Sequence, residues 1–256
     1  MKIAYRRQGR GPAVLLIHGV GGDASNWDAI VPHLAQRFDV IAMDLRGHGR
    51  SESITGPLDA HDLARDARQV LDECGVERAA VVGFSLGGAV AMALTLDAHQ
   101  RVGRLAVIGT VCGRTPQEQA RALERVHDCR QHGHGGIAES NRERWFTDEF
   151  RRAHPDVVER RVAQVKACDG ISYLHAFTAF CTSDFVERLG EIKVPTLIIA
   201  GEHDVAATPR MAHLMAERIA DAQAHVLPGL RHSLLIEAGP RVTELLESFL
   251  HGGSTQ

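Results

Sequence analysis

The sequence predicts an α/β domain built on a parallel sheet with helices on both faces. Apolar strand-like runs alternate with helical patterns along most of the chain. One such run reverses into an apolar helix through Gly83-Phe84-Ser85-Leu86-Gly87, a turn that small flanking residues permit. The alternation breaks between about 113 and 188, where charged, histidine-bearing sequence of helical period carries no convincing parallel strand. With 256 residues, 44% of them hydrophobic, the chain can bury the core of one such domain with an inserted subdomain.

The elements follow in order. Met1-Lys2-Ile3-Ala4-Tyr5-Arg6-Arg7 reads as a short amphipathic strand and lacks the apolar centre and cleavage site of a secretory signal. Residues 13–17 form a continuous apolar run with β-branched members between glycine-rich boundaries, as expected of a strand buried on both faces. A helical pattern over 27–37 and a second strand over 40–43 follow. Leu63, Ala67, Val70 and Leu71 are then spaced for a helix over 59–74, with Gly75 placed to end it. Residues 79–82 lead into Ser85, the almost wholly apolar stretch 86–96 predicts a helix packed on the sheet, and 105–109 predicts another strand. After the helical segment, strand character returns at 195–201. A helix over 210–219, a strand over 224–227 and a helix over 240–250 complete the pattern, and 252–256 reads as a frayed end.

Charge and cysteine content exclude several classes. Twenty-nine Lys and Arg against 32 Asp and Glu give a net charge of −3, so no overall positive field draws nucleic acid or an acidic membrane surface. No apolar run approaches the roughly 18 residues that argue for a membrane span. The five cysteines, Cys74, Cys112, Cys129, Cys168 and Cys181, form an odd set without a Cys-x-x-Cys pair, which suits a reducing compartment. These features predict a soluble cytoplasmic protein; its oligomeric state is not legible in them.

Three residues, each just past a predicted strand, form a candidate catalytic set. A serine hydroxyl needs a base in hydrogen-bond reach, and that base needs an orienting partner. Ser85 supplies the hydroxyl, Asp204 in Gly201-Glu202-His203-Asp204 the carboxylate, and His232 in Gly229-Leu230-Arg231-His232 the imidazole. Singly, the aspartate reads as a helix cap and the histidine, one of 15, as a surface residue. Together, the order Ser, Asp, His is that of a nucleophile-elbow enzyme. Two backbone donors are then required for the developing oxyanion. Leu86 N–H directly follows the nucleophile, and His18-Gly19-Val20-Gly21-Gly22 supplies the other, with Val20 first and Gly19 and Gly21 as neighbours. That loop has neither spacing of the phosphate-binding motifs.

Other residues invite functional readings. Asp44-Leu45-Arg46-Gly47-His48-Gly49 is read as a loop fixed by charge-assisted hydrogen bonds rather than a metal site. His127, His132 and His134 lack a carboxylate or cysteine at ligand spacing, so a solvated edge is preferred and no metal is expected. Cys112, Gly19 and Trp145 are candidate walls of a substrate pocket; Trp27 and Trp145 serve equally well as core.

His18-Gly19-Val20-Gly21-Gly22, Asp44-Leu45-Arg46-Gly47-His48-Gly49-Arg50-Ser51, Gly83-Phe84-Ser85-Leu86-Gly87-Gly88, Gly201-Glu202-His203-Asp204 and Gly229-Leu230-Arg231-His232 together resemble the α/β-hydrolase superfamily. The resemblance implies an eight-stranded, mostly parallel sheet and a cofactor-free serine triad. The break in the strand–helix alternation divides the chain into a core of residues 1–112 and 189–256 and an inserted helical cap, 113–188. Within the superfamily, the passage from Phe180-Cys181-Thr182-Ser183-Asp184-Phe185 through Asp204 to Ala207-Thr208-Pro209 is similar to the 3-oxoadipate enol-lactonase group and related small esterases. One departure is Pro228-Gly229-Leu230-Arg231 before the histidine, where that group approaches it with small residues. The resemblance implies a serine hydrolase acting on a small-molecule ester or lactone through an acyl-enzyme. A carbon–carbon bond hydrolase of meta-cleavage products and a non-enzymatic small-ligand receptor on the same fold are the alternatives.

Overall fold

The computed structural model describes residues 1–252. Of the stretch expected to fray, residues 253–256 lie outside the described residues. Seven strands form one sheet: β1 (Tyr5–Gln8), β2 (Ala13–Ile17), β3 (Asp39–Met43), β4 (Ala79–Phe84), β5 (Val102–Ile108), β6 (Thr196–Gly201) and β7 (Ala222–Leu227). Their spatial order is β1-β3-β2-β4-β5-β6-β7. Among the described residues only β1 runs antiparallel to its neighbour, in register from Tyr5 opposite Met43 to Gln8 opposite Val40. The eighth strand implied by the resemblance is not present among the described residues. Residues ahead of β1 pair with a loop instead: Asp44 N–H donates to the Ala4 carbonyl, Glu52 N–H to that of Lys2, and Ala4 N–H to Ser51 Oγ.

Successive residues of the central strands enter opposite cores, as the pleat requires. Leu15, Ile17, Val81, Leu105, Val107 and Ile198 face one side. They pack there with α2 (Ala60–Glu73) and α3 (Leu86–Asp97). Val14, Leu16, Val82, Ala106, Ile108 and Leu197 face the other, with α1 (Val31–Leu34) and the C-terminal helix. Both faces are covered, so these strands read as unbroken apolar runs. Helix α3 is buried from Leu86 to Thr95, which explains its uniform apolarity.

The helix expected over 27–37 divides into a 3-10 turn, Ala24–Trp27, and the single turn α1. Asp23 caps the first through Ser25 N–H, and Pro32 opens the second, so the segment holds two helix starts. Trp27 is fully buried in the second core.

Between β5 and β6 the chain forms five helices: α4 (Pro116–His132), α5 (His134–Trp145), α6 (Asp148–Ala153), α7 (Pro155–Lys166) and α8 (Gly170–Thr182). Thr115, Thr147 and Asp169 cap α4, α6 and α8 through side-chain oxygens. Val126, Ile137, Val162, Val165, Tyr173 and Phe177 give these helices a core of their own. The chain then returns through β6, α9 (Pro209–Arg218), β7, α10 (Leu234–Glu237) and α11 (Gly239–Leu250). Among the described residues no helix is long and apolar enough to cross a membrane.

Candidate active site

Parallel strands that all end on one edge deliver their following loops to a common rim. Ser85 follows β4, the central strand, and the loop 18–22 follows the adjacent β2. Asp204 follows β6 and His232 follows β7.

Ser85 has φ 56° and ψ −118° and is the one non-glycine residue with positive φ among those described. Such a conformation is costly for an L-residue and persists only where its surroundings enforce it. The flanking glycines show how. A Cβ on Gly83 would lie 2.1 Å from the Gly87 carbonyl oxygen, and one on Gly87 would lie 2.1 Å from that of Ile17. Strand, elbow and helix therefore pass closer than any side chain allows.

The three side chains form one row. His232 Nε2 stands 3.2 Å from Ser85 Oγ, and His232 Nδ1 stands 2.6 Å from Asp204 Oδ2. All three residues are buried. A carboxylate can only accept, so Nδ1 carries the proton and Nε2 is left to accept from the serine hydroxyl. Asp204 Oδ1 accepts from Ala206 N–H at 2.8 Å and Ala207 N–H at 3.0 Å, which fixes the carboxylate.

Leu86 opens α3, where a helix leaves its first amides without intrahelical partners. Val20 and Gly19 line the same cavity as Ser85. The loop carrying them is held from beneath by two histidines. Leu45 N–H donates to His18 Nε2 at 2.9 Å and Gly21 N–H to His48 Nε2 at 3.0 Å. Their Nδ1–H groups donate to the Gly19 and Arg46 carbonyls, at 2.7 and 3.1 Å. Each ring thus needs one bare nitrogen, and burial favours the neutral form, pushing His18 down to about 4 and His48 down to about 3. Asp44 completes the support by accepting from Ala24 N–H at 2.7 Å and Arg50 N–H at 3.0 Å. Arg46 instead makes a two-toothed pair with Asp66 of α2, at 2.6 and 2.9 Å.

The cavity above Ser85 encloses about 770 Å³ of open space, including its mouth. Trp145 lines it, as do Tyr173 and Phe177. Cys112 does not: it is fully buried with its thiol 3.6 Å from Asp184 Oδ1, and desolvation pushes it up to about 12. His134 stacks on Tyr173 at 4.9 Å between ring centres. Among the described residues, no group of three or more His, Cys, Asp or Glu is arranged to hold a metal ion.

Four contributors lay outside the sequence reading. Arg161 of α7 donates to the Gly21 and Val20 carbonyls, at 2.5 and 3.1 Å, and lies 4.9 Å over the Trp145 ring. Arg231, beside the histidine, donates to the Phe146 carbonyl at 3.0 Å and pairs with Asp148 at 3.1 Å. Arg125 and Arg144 also face the cavity. The departure at Arg231 was the one signal available beforehand; the others sit in helical sequence whose facing only packing defines.

Residues 12–239 match the α/β hydrolase fold family. The chain is 28% identical over 218 residues to 3-oxoadipate enol-lactonase 2 of Acinetobacter baylyi, covering 84% of this chain and 80% of that protein. It is similar to the crystal structure of the enol-lactonase from Burkholderia xenovorans, with a TM-score of 0.91, 30% identity, and coverage of 97% of this chain and 96% of that one. A hydrolase from Pseudomonas aeruginosa is comparably similar, with a TM-score of 0.90, 32% identity, and coverage of 97% and 94%. With its sheet order, its strained serine and these similarities, the chain belongs to the α/β-hydrolase family and is a hydrolase.

Proposed function

We propose that the protein hydrolyses a small carboxylic ester or lactone through an acyl-enzyme on Ser85. The observation that carries this reading is the unbroken row from Ser85 Oγ through the His232 ring to Asp204, with Ser85 at φ 56°. Ser85 Oγ attacks the carbonyl carbon as His232 Nε2 takes its proton. The carbonyl oxygen becomes an oxyanion facing the Val20 and Leu86 N–H groups. Collapse breaks the bond to the leaving oxygen, which takes the proton from His232; in a lactone that oxygen stays tethered to the acyl group. Water, activated by the same imidazole, then attacks the acyl-enzyme, and the acid leaves as the Ser85 hydroxyl is restored. Asp204 holds the imidazole in one tautomer and stabilises its charged form. No step calls for a cofactor.

Residues 113–188 act as a cap in this reading. They supply Trp145, Tyr173 and Phe177 to the cavity wall and exclude water from it. The likeness to enol-lactonases supports a lactone or small ester as substrate.

A panel of p-nitrophenyl esters, lactones and dienoates, assayed with wild type and Ser85→Ala, tests the proposal. The expected result is ester or lactone turnover that falls at least about 10⁴-fold in Ser85→Ala, with unchanged melting temperature. Full hydrolysis by Ser85→Ala overturns it, and turnover confined to dienoates redirects it to carbon–carbon bond cleavage.

A further inference from the structure

A second chamber of about 700 Å³ of open space adjoins the Ser85 cavity. Arg125, Arg144, Phe177 and Phe180 line both spaces, as do Val205 and Ala206, so these six form the partition between them. Arg125 comes from α4 and Arg144 from α5. Arg125 donates to Asn141 Oδ1 at 2.7 Å and lies 5.7 Å over the Phe177 ring. The Arg144 side chain makes no hydrogen bond or ion pair among the described residues. Neighbouring cap arginines show the ordinary arrangement, with Arg142 on Glu139 and Glu159 and Arg160 on Asp156.

No carboxylate at either chamber hydrogen-bonds this pair, and Asp204 attracts Arg144 only through space. Asp204, in the first, is committed to His232 and two backbone amides. Glu118, in the second, is held by Arg210 at 2.6 Å and Thr115 N–H at 2.7 Å. Two half-buried guanidiniums side by side repel each other and lose hydration, a cost that an incoming anion removes. Guanidinium offers paired N–H donors to a carboxylate or phosphate, and Asn141 steadies one of the two forks.

We propose that Arg125 and Arg144 form an anion subsite at the junction of the two chambers. It selects an elongated ester whose far end carries an ionised acid group, a carboxylate or a phosphate. The scissile carbonyl reaches Ser85, the intervening chain crosses the first cavity between aromatic walls, and the acid group meets the arginines at the partition. This inference rests on the hydrolase reading above and adds to it a substrate length and charge.

The test measures kcat/KM for monoethyl half-esters of straight-chain dicarboxylic acids from succinate to sebacate, against their neutral diethyl esters. A matched series ending in phosphate separates the two acid groups. Wild type is expected to prefer the anionic member by about 10- to 100-fold, as charge-assisted hydrogen bonds allow, with the optimum beyond the shortest chain. Arg144→Gln and Arg125→Gln should each cut that preference about tenfold, chiefly through KM, and Arg144→Lys should restore part of it. Ser85-dependent hydrolysis with no charge preference at any length overturns the inference. So does a preference that peaks at the shortest acid, or one that survives both substitutions. Calorimetric binding of the intact half-esters to Ser85→Ala reads the subsite without turnover: weaker binding to the double variant Ser85→Ala/Arg144→Gln supports it, and equal binding refutes it. Absence of ester hydrolysis in wild type would count against the hydrolase reading alone.

Discussion

The sheet-borne part of the molecule and the helices between β5 and β6 treat buried polar groups in opposite ways. Beneath the candidate oxyanion loop, His18, His48 and Asp44 are each matched to backbone donors or acceptors, so the loop has one arrangement. Across the cavity, Arg125 and Arg144 face open space with no carboxylate hydrogen-bonded to either. Full satisfaction rigidifies a site, whereas an unmet charge is a standing demand for a partner. On the proposed function, bond breaking falls to the sheet edge and choice of substrate to the helices. Arg161 and Arg231 join the two regions: one helix cation grips the candidate oxyanion loop, and one cation beside the histidine grips the α5–α6 junction.

The largest expected effect breaks the matched region. Asp204→Asn should leave the fold intact but lower kcat about 10⁴-fold, because an amide no longer fixes the imidazole tautomer. Steady-state kinetics on the best ester checks it, and a small loss would remove Asp204 from the orienting role. Gly87→Ala comes next, since its methyl meets the Ile17 carbonyl oxygen at 2.1 Å. Denaturant unfolding should show a loss of about 3 kcal/mol.

A smaller effect sharpens the junction. Arg161→Gln should lower kcat by about 10- to 100-fold, because the oxyanion donors lose their hold while the cavity walls remain. If KM carries the loss instead, Arg161 contacts substrate rather than positioning the loop; partial rescue by Arg161→Lys favours positioning. The last effect is one of pH and is spread over several pH units. His18 and His48 are held neutral when folded, so the unfolded chain binds their protons first as acid is added. Their contribution to stability is complete above about pH 6.5 and is lost as pH falls towards 4, by at most about 1.4 kcal/mol per pH unit for each ring. Unfolding curves from pH 7 to 4 should show this slope, and His48→Gln, which keeps an acceptor for Gly21 N–H, should flatten it.

The strands around β2, β4 and β6 were legible because doubly buried strands write themselves as apolar runs, and the elbow because only glycine tolerates its close approaches. The missing eighth strand was not, since it depends on where neighbouring loops find partners; the division of the helix over 24–34 is written locally in Asp23 and Pro32, which the apolar periodicity of 27–37 hides. Cys112 reads as a pocket wall from its place after β5, yet its side chain turns to Asp184, a direction that position in the chain does not encode.

The sequence by itself determined the order of elements, the strained serine turn, and which three residues follow strand ends in the sequence Ser, Asp, His. Local sterics and burial periodicity act over a few residues, so they can be read directly. Tertiary structure alone decided that Arg161 holds the candidate oxyanion loop and that Arg125 and Arg144 share a partition between two chambers. Those contacts join residues far apart in the chain, and a charged position on a helix looks the same whether its face meets solvent or a cavity.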